Sequence, residues 1–196
     1  IKPSNIQIGD YGEVYVIDWG LAKVMDAPDE SWQDQQDARL AESLDQTMDG
    51  MLKGSPGYMA PEQASRKIRE IDERTDIYAL GGLLYSMLTH KAPIQGKTLN
   101  DLMQNTRNGR IVPPQRRRPG RKIPAPLEAV TLKALARNPR HRYDKAENLR
   151  ADIQAYMDGF ATSAEEVGLI HLVWLLIMRH RLSAGIIAVS TLLLFA

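Results

Sequence analysis

The sequence predicts a mainly α-helical domain entered through a short β-hairpin and followed by the start of a transmembrane helix. Three observations predict it. Residues 6–17 alternate apolar and polar positions on either side of a Gly9-Asp10-Tyr11-Gly12 turn, which is the pattern of a hairpin. Residues 76–89 are apolar nearly all round, as in a helix buried in the middle of a domain, and amphipathic segments follow at 99–105, 127–137 and 145–157. Residues 182–196 carry no charge and end on Leu192-Leu193-Leu194-Phe195-Ala196. A span needs about 20 apolar residues, so this run reads as the first part of one.

Composition bounds the rest. With 196 residues, 43% of them hydrophobic, the chain has room for one ordinary domain and an appendage. The 25 Lys and Arg nearly cancel the 24 Asp and Glu, for a net charge of +1, so nothing in the balance calls for nucleic acid. The absence of cysteine excludes disulfides and thiolate metal sites and fits a cytosolic domain. The four His are scattered, and none forms a metal-spaced pair. The sequence begins at Ile1 and stops inside an apolar run, so both ends are expected to be truncations.

Between the hairpin and the helical part, residues 25–50 are acidic and polar. Asp26, Asp29, Glu30, Asp34, Asp37, Glu42, Asp45 and Asp49 stand against a single Arg39, and such a stretch lacks the apolar surface to fold on its own. The later amphipathic segments are separated by loops around Pro113-Pro114 and residues 116–121, and Gly159 marks a helix stop. Residues 169–178 are apolar apart from His171 but only about half the length of a span. They are expected to lie at the membrane interface, with Trp174 at headgroup level. Arg179-His180-Arg181 precedes the uncharged run, and flanking positive charge is retained on the cytoplasmic side. The expected location is therefore the cell membrane, single-pass, with the preceding domain cytoplasmic.

Two short motifs flank the hairpin, Lys2-Pro3-Ser4-Asn5 before it and Asp18-Trp19-Gly20 after it. A lone Asn or Asp beside a hairpin is usually a turn residue. Phosphoryl transfer, however, needs an oxygen ligand from each of two loops to hold Mg²⁺ against the β- and γ-phosphates. A hairpin brings two loops together, and Asn5 and Asp18 lie at its two open ends.

The order Lys-Pro-x-Asn, hairpin, Asp-aromatic-Gly, long loop, Ala60-Pro61-Glu62 resembles the eukaryotic-like (bacterial) serine/threonine protein kinase family, and the resemblance runs to about Gly159. It implies that residues 1–160 are a protein-kinase-like large (C-terminal) lobe with the catalytic hairpin packed on its top. A juxtamembrane linker with an interfacial segment (161–181) and the start of a transmembrane helix (182–196) would follow. By the same resemblance Lys2 would steady the transferring phosphate and the acceptor hydroxyl, and Asn5 and Asp18 would bind the metal. Lysine at position 2 is the serine/threonine pattern. Trp19 stands for the family's usual Phe and would fill the slot beside Asp18. In Gly54-Ser55-Pro56-Gly57-Tyr58-Met59-Ala60-Pro61-Glu62, Ser55 stands where the family has a Thr whose hydroxyl bridges the catalytic Asp and Lys.

The implied reaction is transfer of the γ-phosphate of ATP to Ser or Thr of proteins, with ATP and Mg²⁺ as cofactors. The implied partners are protein substrates, the membrane and a second copy for autophosphorylation, with no nucleic acid. The Gly-rich loop, the small-lobe Lys and the His-Arg-Asp base would precede Ile1, so this polypeptide alone is expected to be inactive. The alternative is a pseudokinase or scaffold domain of a membrane receptor.

Three supporting residues complete the reading. Glu62 is a carboxylate on a largely buried segment and demands a cationic partner. The resemblance points to Arg142, in Asn138-Pro139-Arg140-His141-Arg142-Tyr143, whose planar guanidinium suits an enclosed bidentate pair. Asp76 matches the family's central-helix Asp, which accepts hydrogen bonds from the catalytic-loop backbone; a helix N-terminal carboxylate favoured by the dipole is the simpler reading. The connection from Asp18 to Glu62 is long for a compact domain. It is either a solvated insertion or an autophosphorylation segment with Ser31, Ser43 and Thr47 as phosphosites. Arg116-Arg117-Arg118 with Arg121-Lys122 is either a solvated charge run or a surface for an acidic substrate, the acidic loop or an anionic membrane.

Overall fold

A computed structural model of the chain describes residues 1–19, 55–65, 67 and 70–165. Gly20, Gly54, the acidic stretch with Ser31, Ser43 and Thr47, and the apolar segments 169–178 and 182–196 lie outside the described residues.

The entrance follows from local rules. Pro3 opens a 3-10 turn, Pro3–Asn5, where its missing N–H costs nothing, and the chain then enters β1 (Ile6–Ile8). The partner strand β2 (Val14–Val16) runs antiparallel with Ile6 opposite Val16, Gln7 opposite Tyr15 and Ile8 opposite Val14. Gly12, at φ 89°, turns the chain between them, and Gly9 donates to the Glu13 carbonyl at 2.8 Å. The alternation in this stretch yields pairing but not burial. No residue of either strand is buried, and Ile8, Val14 and Tyr15 are all exposed, so the expected packing of the hairpin on the helices is not found among the described residues.

The helical part is organised around α2 (Glu73–Thr89), which follows a short α1 (Pro61–Ala64). Asp72 caps α2 by accepting the Arg74 N–H at 2.9 Å, so the helix starts three residues before the apolar run. Its polar first turn carries no apolar signal. Ile77, Tyr78, Gly81 and Tyr85 are buried, whereas Met87 is exposed, so the helix is central without being covered on every side.

α3 (Leu99–Arg107) packs against α1 and the 55–58 turn, while α4 (Pro114–Arg117), α5 (Ala125–Ala134) and α6 (Ala146–Met157) gather on α2. Thr98 and Asp101 exchange bonds in a capping box that starts α3. The stretch expected as loop around Pro114 instead forms one helical turn. Pro114 is pre-set for a first helical position, and Glu128 of α5 accepts the Gln115 N–H at 2.9 Å. α5 begins two residues earlier than its apolar pattern because Pro126 fits the first turn. α6 ends where Gly159 takes φ 75°, with Gly159 bonded to Tyr156 and Phe160 to Ala155, a Schellman stop.

One core cluster joins Ile77 to Val130, Ala134, Tyr143 and Leu149; another joins Tyr78 and Tyr85 to Ala60 and Leu135. α2 and α5 meet closely at Gly81, where an added Cβ would lie 2.7 Å from the Ala134 Cβ. No helix among the described residues is long and apolar enough to cross a membrane.

Candidate active site

The hairpin sets the geometry at its open end. Ile17 donates its N–H to the Asn5 carbonyl at 2.9 Å, so the two arms leave the sheet side by side. As a result the Asn5 amide nitrogen sits 3.5 Å from an Asp18 carboxylate oxygen, thirteen residues on. Ser4 donates its hydroxyl to the Asn5 amide oxygen at 3.4 Å. Asp18 itself has φ 63°, in the left-handed region that Asp tolerates better than most residues and that recurs at functional sites. Lys2 lies one residue before the Pro3–Asn5 turn.

Asn5 and Asp18 are both hard oxygen donors, both lie near the surface, and both come from loops, which fits a site for Mg²⁺ completed by phosphate and water. Among the described residues there is no cluster of three or more His, Asp or Glu that would favour an all-protein metal cage. Ser55 opens a 3-10 turn, Ser55–Tyr58, and its side chain lies outside the described set. Trp19 departs from the expectation: it is 72% exposed and donates its indole N–H to the Val16 carbonyl at 2.9 Å instead of filling a slot. Among the described residues no apolar wall stands over it.

Glu62 and Arg142, eighty residues apart, form an enclosed pair. Arg142 Nη1 and Nη2 reach the two Glu62 oxygens at 2.7 and 2.8 Å, with side-chain exposures of 0% and 2%. The remaining guanidinium donors go to the carbonyls of Ala136, Arg74 and Arg137, so all five N–H groups are used. Thr75 adds its hydroxyl to Glu62 at 2.8 Å, and the Tyr78 ring lies 4.8 Å below the guanidinium carbon. Burial pushes the Tyr78 hydroxyl far up, against the lowering field of Arg142, so it stays protonated.

Asp76 is exposed in the first turn of α2, and no hydrogen bond joins it to the Lys2–Asn5 backbone among the described residues. The expected role in holding the catalytic loop is therefore not seen. Its position in the first turn suits the helix dipole. In the basic cluster, Arg118 Nε donates to the Thr89 carbonyl at 2.9 Å, a structural bond that ties this loop to the end of α2.

The protein kinase domain model matches residues 1–153. The chain belongs to the protein kinase domain family. It is 39% identical over 160 residues to the serine/threonine-protein kinase PknD of Protochlamydia amoebophila, matching 81% of this chain and 16% of that protein. Against the serine/threonine-protein kinase PknD of Chlamydia trachomatis serovar D it is 38% identical over 167 residues, 81% of this chain and 17% of the relative. The tyrosine-protein kinase MasK of Myxococcus xanthus is 38% identical over 161 residues, 80% of this chain and 21% of the relative. The chain thus spans about a fifth or less of the length of these relatives.

The kinase domain also contains a polar anchor that sequence reasoning missed. Asp152, buried on α6, accepts the Ser163 N–H at 2.7 Å, the Ser163 hydroxyl at 2.8 Å and the Tyr143 hydroxyl at 2.7 Å. Lys133 reaches the Ser163 hydroxyl at 3.0 Å and lies over the Tyr143 ring. Burial alone would raise the Asp152 pKa, but the Ser163 N–H, the two hydroxyls and the Lys133 charge outweigh it and hold it below the ordinary value. Beside it Thr162 donates its N–H and hydroxyl to Glu165. The Thr-x-x-Glu spacing is a helix-start signature visible in the sequence.

Proposed function

We propose that the protein carrying this chain is a membrane-anchored serine/threonine protein kinase that transfers the γ-phosphate of ATP to Ser or Thr of protein substrates. The observation that carries this reading is the convergence of Asn5 and Asp18 at the mouth of the hairpin, in a chain of the kinase family. Mg²⁺ held there would neutralise charge on the β- and γ-phosphates. Asn5 would offer its amide oxygen and Asp18 its carboxylate. Lys2 would orient the transferring phosphate and the acceptor hydroxyl, and Ser55 would hold the acceptor side of the site. Two of the cited relatives are named serine/threonine kinases and one a tyrosine kinase; Lys2 favours the former.

Anchoring rests on the sequence. The uncharged run 182–196 behind Arg179-His180-Arg181 supports a single pass with the kinase domain in the cytoplasm, where ATP and Mg²⁺ are available. Autophosphorylation between copies at Ser31, Ser43 or Thr47 belongs to the same reading.

The test uses the full-length protein with γ-labelled ATP and a mixed protein substrate, followed by phosphoamino-acid analysis. Label is expected on Ser and Thr, and Asp18→Asn should reduce incorporation to near background with melting unchanged, because only the charge of a metal ligand is lost. A well-folded Asp18→Asn protein of near wild-type activity would remove Asp18 from the mechanism. Label confined to Tyr would overturn the acceptor class.

A further inference from the structure

A cleft of about 740 Å³ is lined by α1, by Ser65, Lys67 and Glu70, by the start of α2, the end of α3 and the 137–140 segment. Its charges do not balance locally. The three carboxylates on its wall are engaged: Glu62 with Arg142 and Thr75, Glu70 with Lys67 at 2.8 Å, and Asp72 as the cap of α2. Arg74 pairs with Asp144. Arg107, Arg137 and Arg140 have no carboxylate partner among the described residues.

Two of these three arginines are held in place by contacts that leave their charged ends available. Arg107 Nε donates to the Ala64 carbonyl at 2.7 Å, which fixes the stem and leaves the two terminal nitrogens. The Arg137 stem lies against Gly109, a residue at φ 62° where an added Cβ would come within 2.8 Å of the Arg137 Cβ. Stems ordered before binding lose less side-chain entropy when a ligand arrives. Three arginines on the wall of one concavity also concentrate positive potential there, because the field is focused between low-dielectric walls.

We propose that this cleft docks an acidic segment of the protein substrate, through carboxylate contacts to Arg107, Arg137 and Arg140. The position favours this use, since α3, whose end carries Arg107, packs against both α1 and the Ser55–Tyr58 turn that the kinase reading sets beside the acceptor hydroxyl. The inference rests on that reading for the use of the bound segment, not for the binding itself. Substrates would then carry Asp or Glu runs close to the phosphorylated Ser or Thr.

The experiment measures anisotropy of a fluorescein-labelled peptide, one Ser within an Asp/Glu run, added to the full-length protein without ATP. The same peptide with Asn and Gln in place of the acids is the comparison. The acidic peptide should bind at least about tenfold more tightly, and binding should fall steeply as salt rises. Arg107→Gln, Arg137→Gln and Arg140→Gln should each raise Kd about threefold, the triple variant about tenfold or more, and Arg116→Gln should leave it unchanged. In turnover, the triple variant should raise KM for the acidic peptide and leave phosphorylation of the neutral one as it was.

Wild-type affinity in a normally melting triple variant would overturn the proposal. If the triple variant melts early, the double variant Arg137→Gln/Arg140→Gln, which keeps the Arg107 bond to Ala64, must still weaken binding severalfold or the proposal fails. Binding only of a peptide copying residues 26–49 would assign the cleft to the chain's own acidic stretch and equally refute substrate docking. Loss of phosphate transfer to every peptide would instead sink the kinase reading, and persistent arginine-dependent binding would show that the cleft was not what failed.

Discussion

Arg142→Ala is the most informative perturbation of the fold, because every atom it affects is accounted for. The side chain is fully enclosed, and all five of its N–H groups have acceptors: two on Glu62 and one each on Ala136, Arg74 and Arg137. Truncation would leave a buried carboxylate with only the Thr75 hydroxyl, and would remove the guanidinium from the carbonyls of Ala136, Arg74 and Arg137. Breaking an enclosed ion pair by removing one partner costs about 3–5 kcal/mol. In a domain of this size that corresponds to a loss of about 6–20 °C in Tm. Arg142→Lys should recover only part, since an ammonium cannot match a bidentate carboxylate. Glu62→Met/Arg142→Met should recover more, because it removes both charges and keeps volume. Urea unfolding of Arg142→Ala, Glu62→Ala and the double variant gives the coupling directly. A coupling of about 2 kcal/mol or more is expected, and additivity within about 0.5 kcal/mol would refute the argument.

Three further outcomes follow from the same geometry. Gly81→Val should force α2 and α5 apart, since even a Cβ would meet Ala134 at 2.7 Å and Leu135 at 3.1 Å; a destabilisation of about 1–3 kcal/mol by urea unfolding is expected, and a neutral result would mean that the helices do not pack there. Asp152 has a folded pKa held below its unfolded value, so its contribution is complete above about pH 4 and is lost as the pH falls through the folded value; the Tm difference between wild type and Asp152→Asn should shrink on acidification and stay constant from pH 5 to 8. Protease added to intact spheroplasts carrying the full-length protein should spare the kinase domain until the membrane is lysed, and digestion from outside would reverse the proposed topology.

The sequence by itself determined the elements whose causes are local. The hairpin was legible in its alternation and Gly-x-x-Gly turn, the α6 stop in Gly159, and the central helix in its apolar run, because each depends on residues within a turn or two of one another. Family membership was legible for a related reason: Lys2, Asn5, Asp18, Ala60-Pro61-Glu62 and Arg142 stand in a fixed order along the chain, and order is a one-dimensional property. Tertiary structure decided what depends on which surfaces meet. It set the start of α2 at Asp72, turned the expected loop at Pro114 into a helical turn braced by Glu128, and left the hairpin and Trp19 exposed, since alternation says which face is apolar but not what covers it. It also gathered Arg107 from the end of α3 and Arg137 and Arg140 from the 137–140 segment into one cleft, and closed Asp152 onto Tyr143 and Ser163. Charges distant in sequence combine their fields only through space, so no spacing rule could have announced either site.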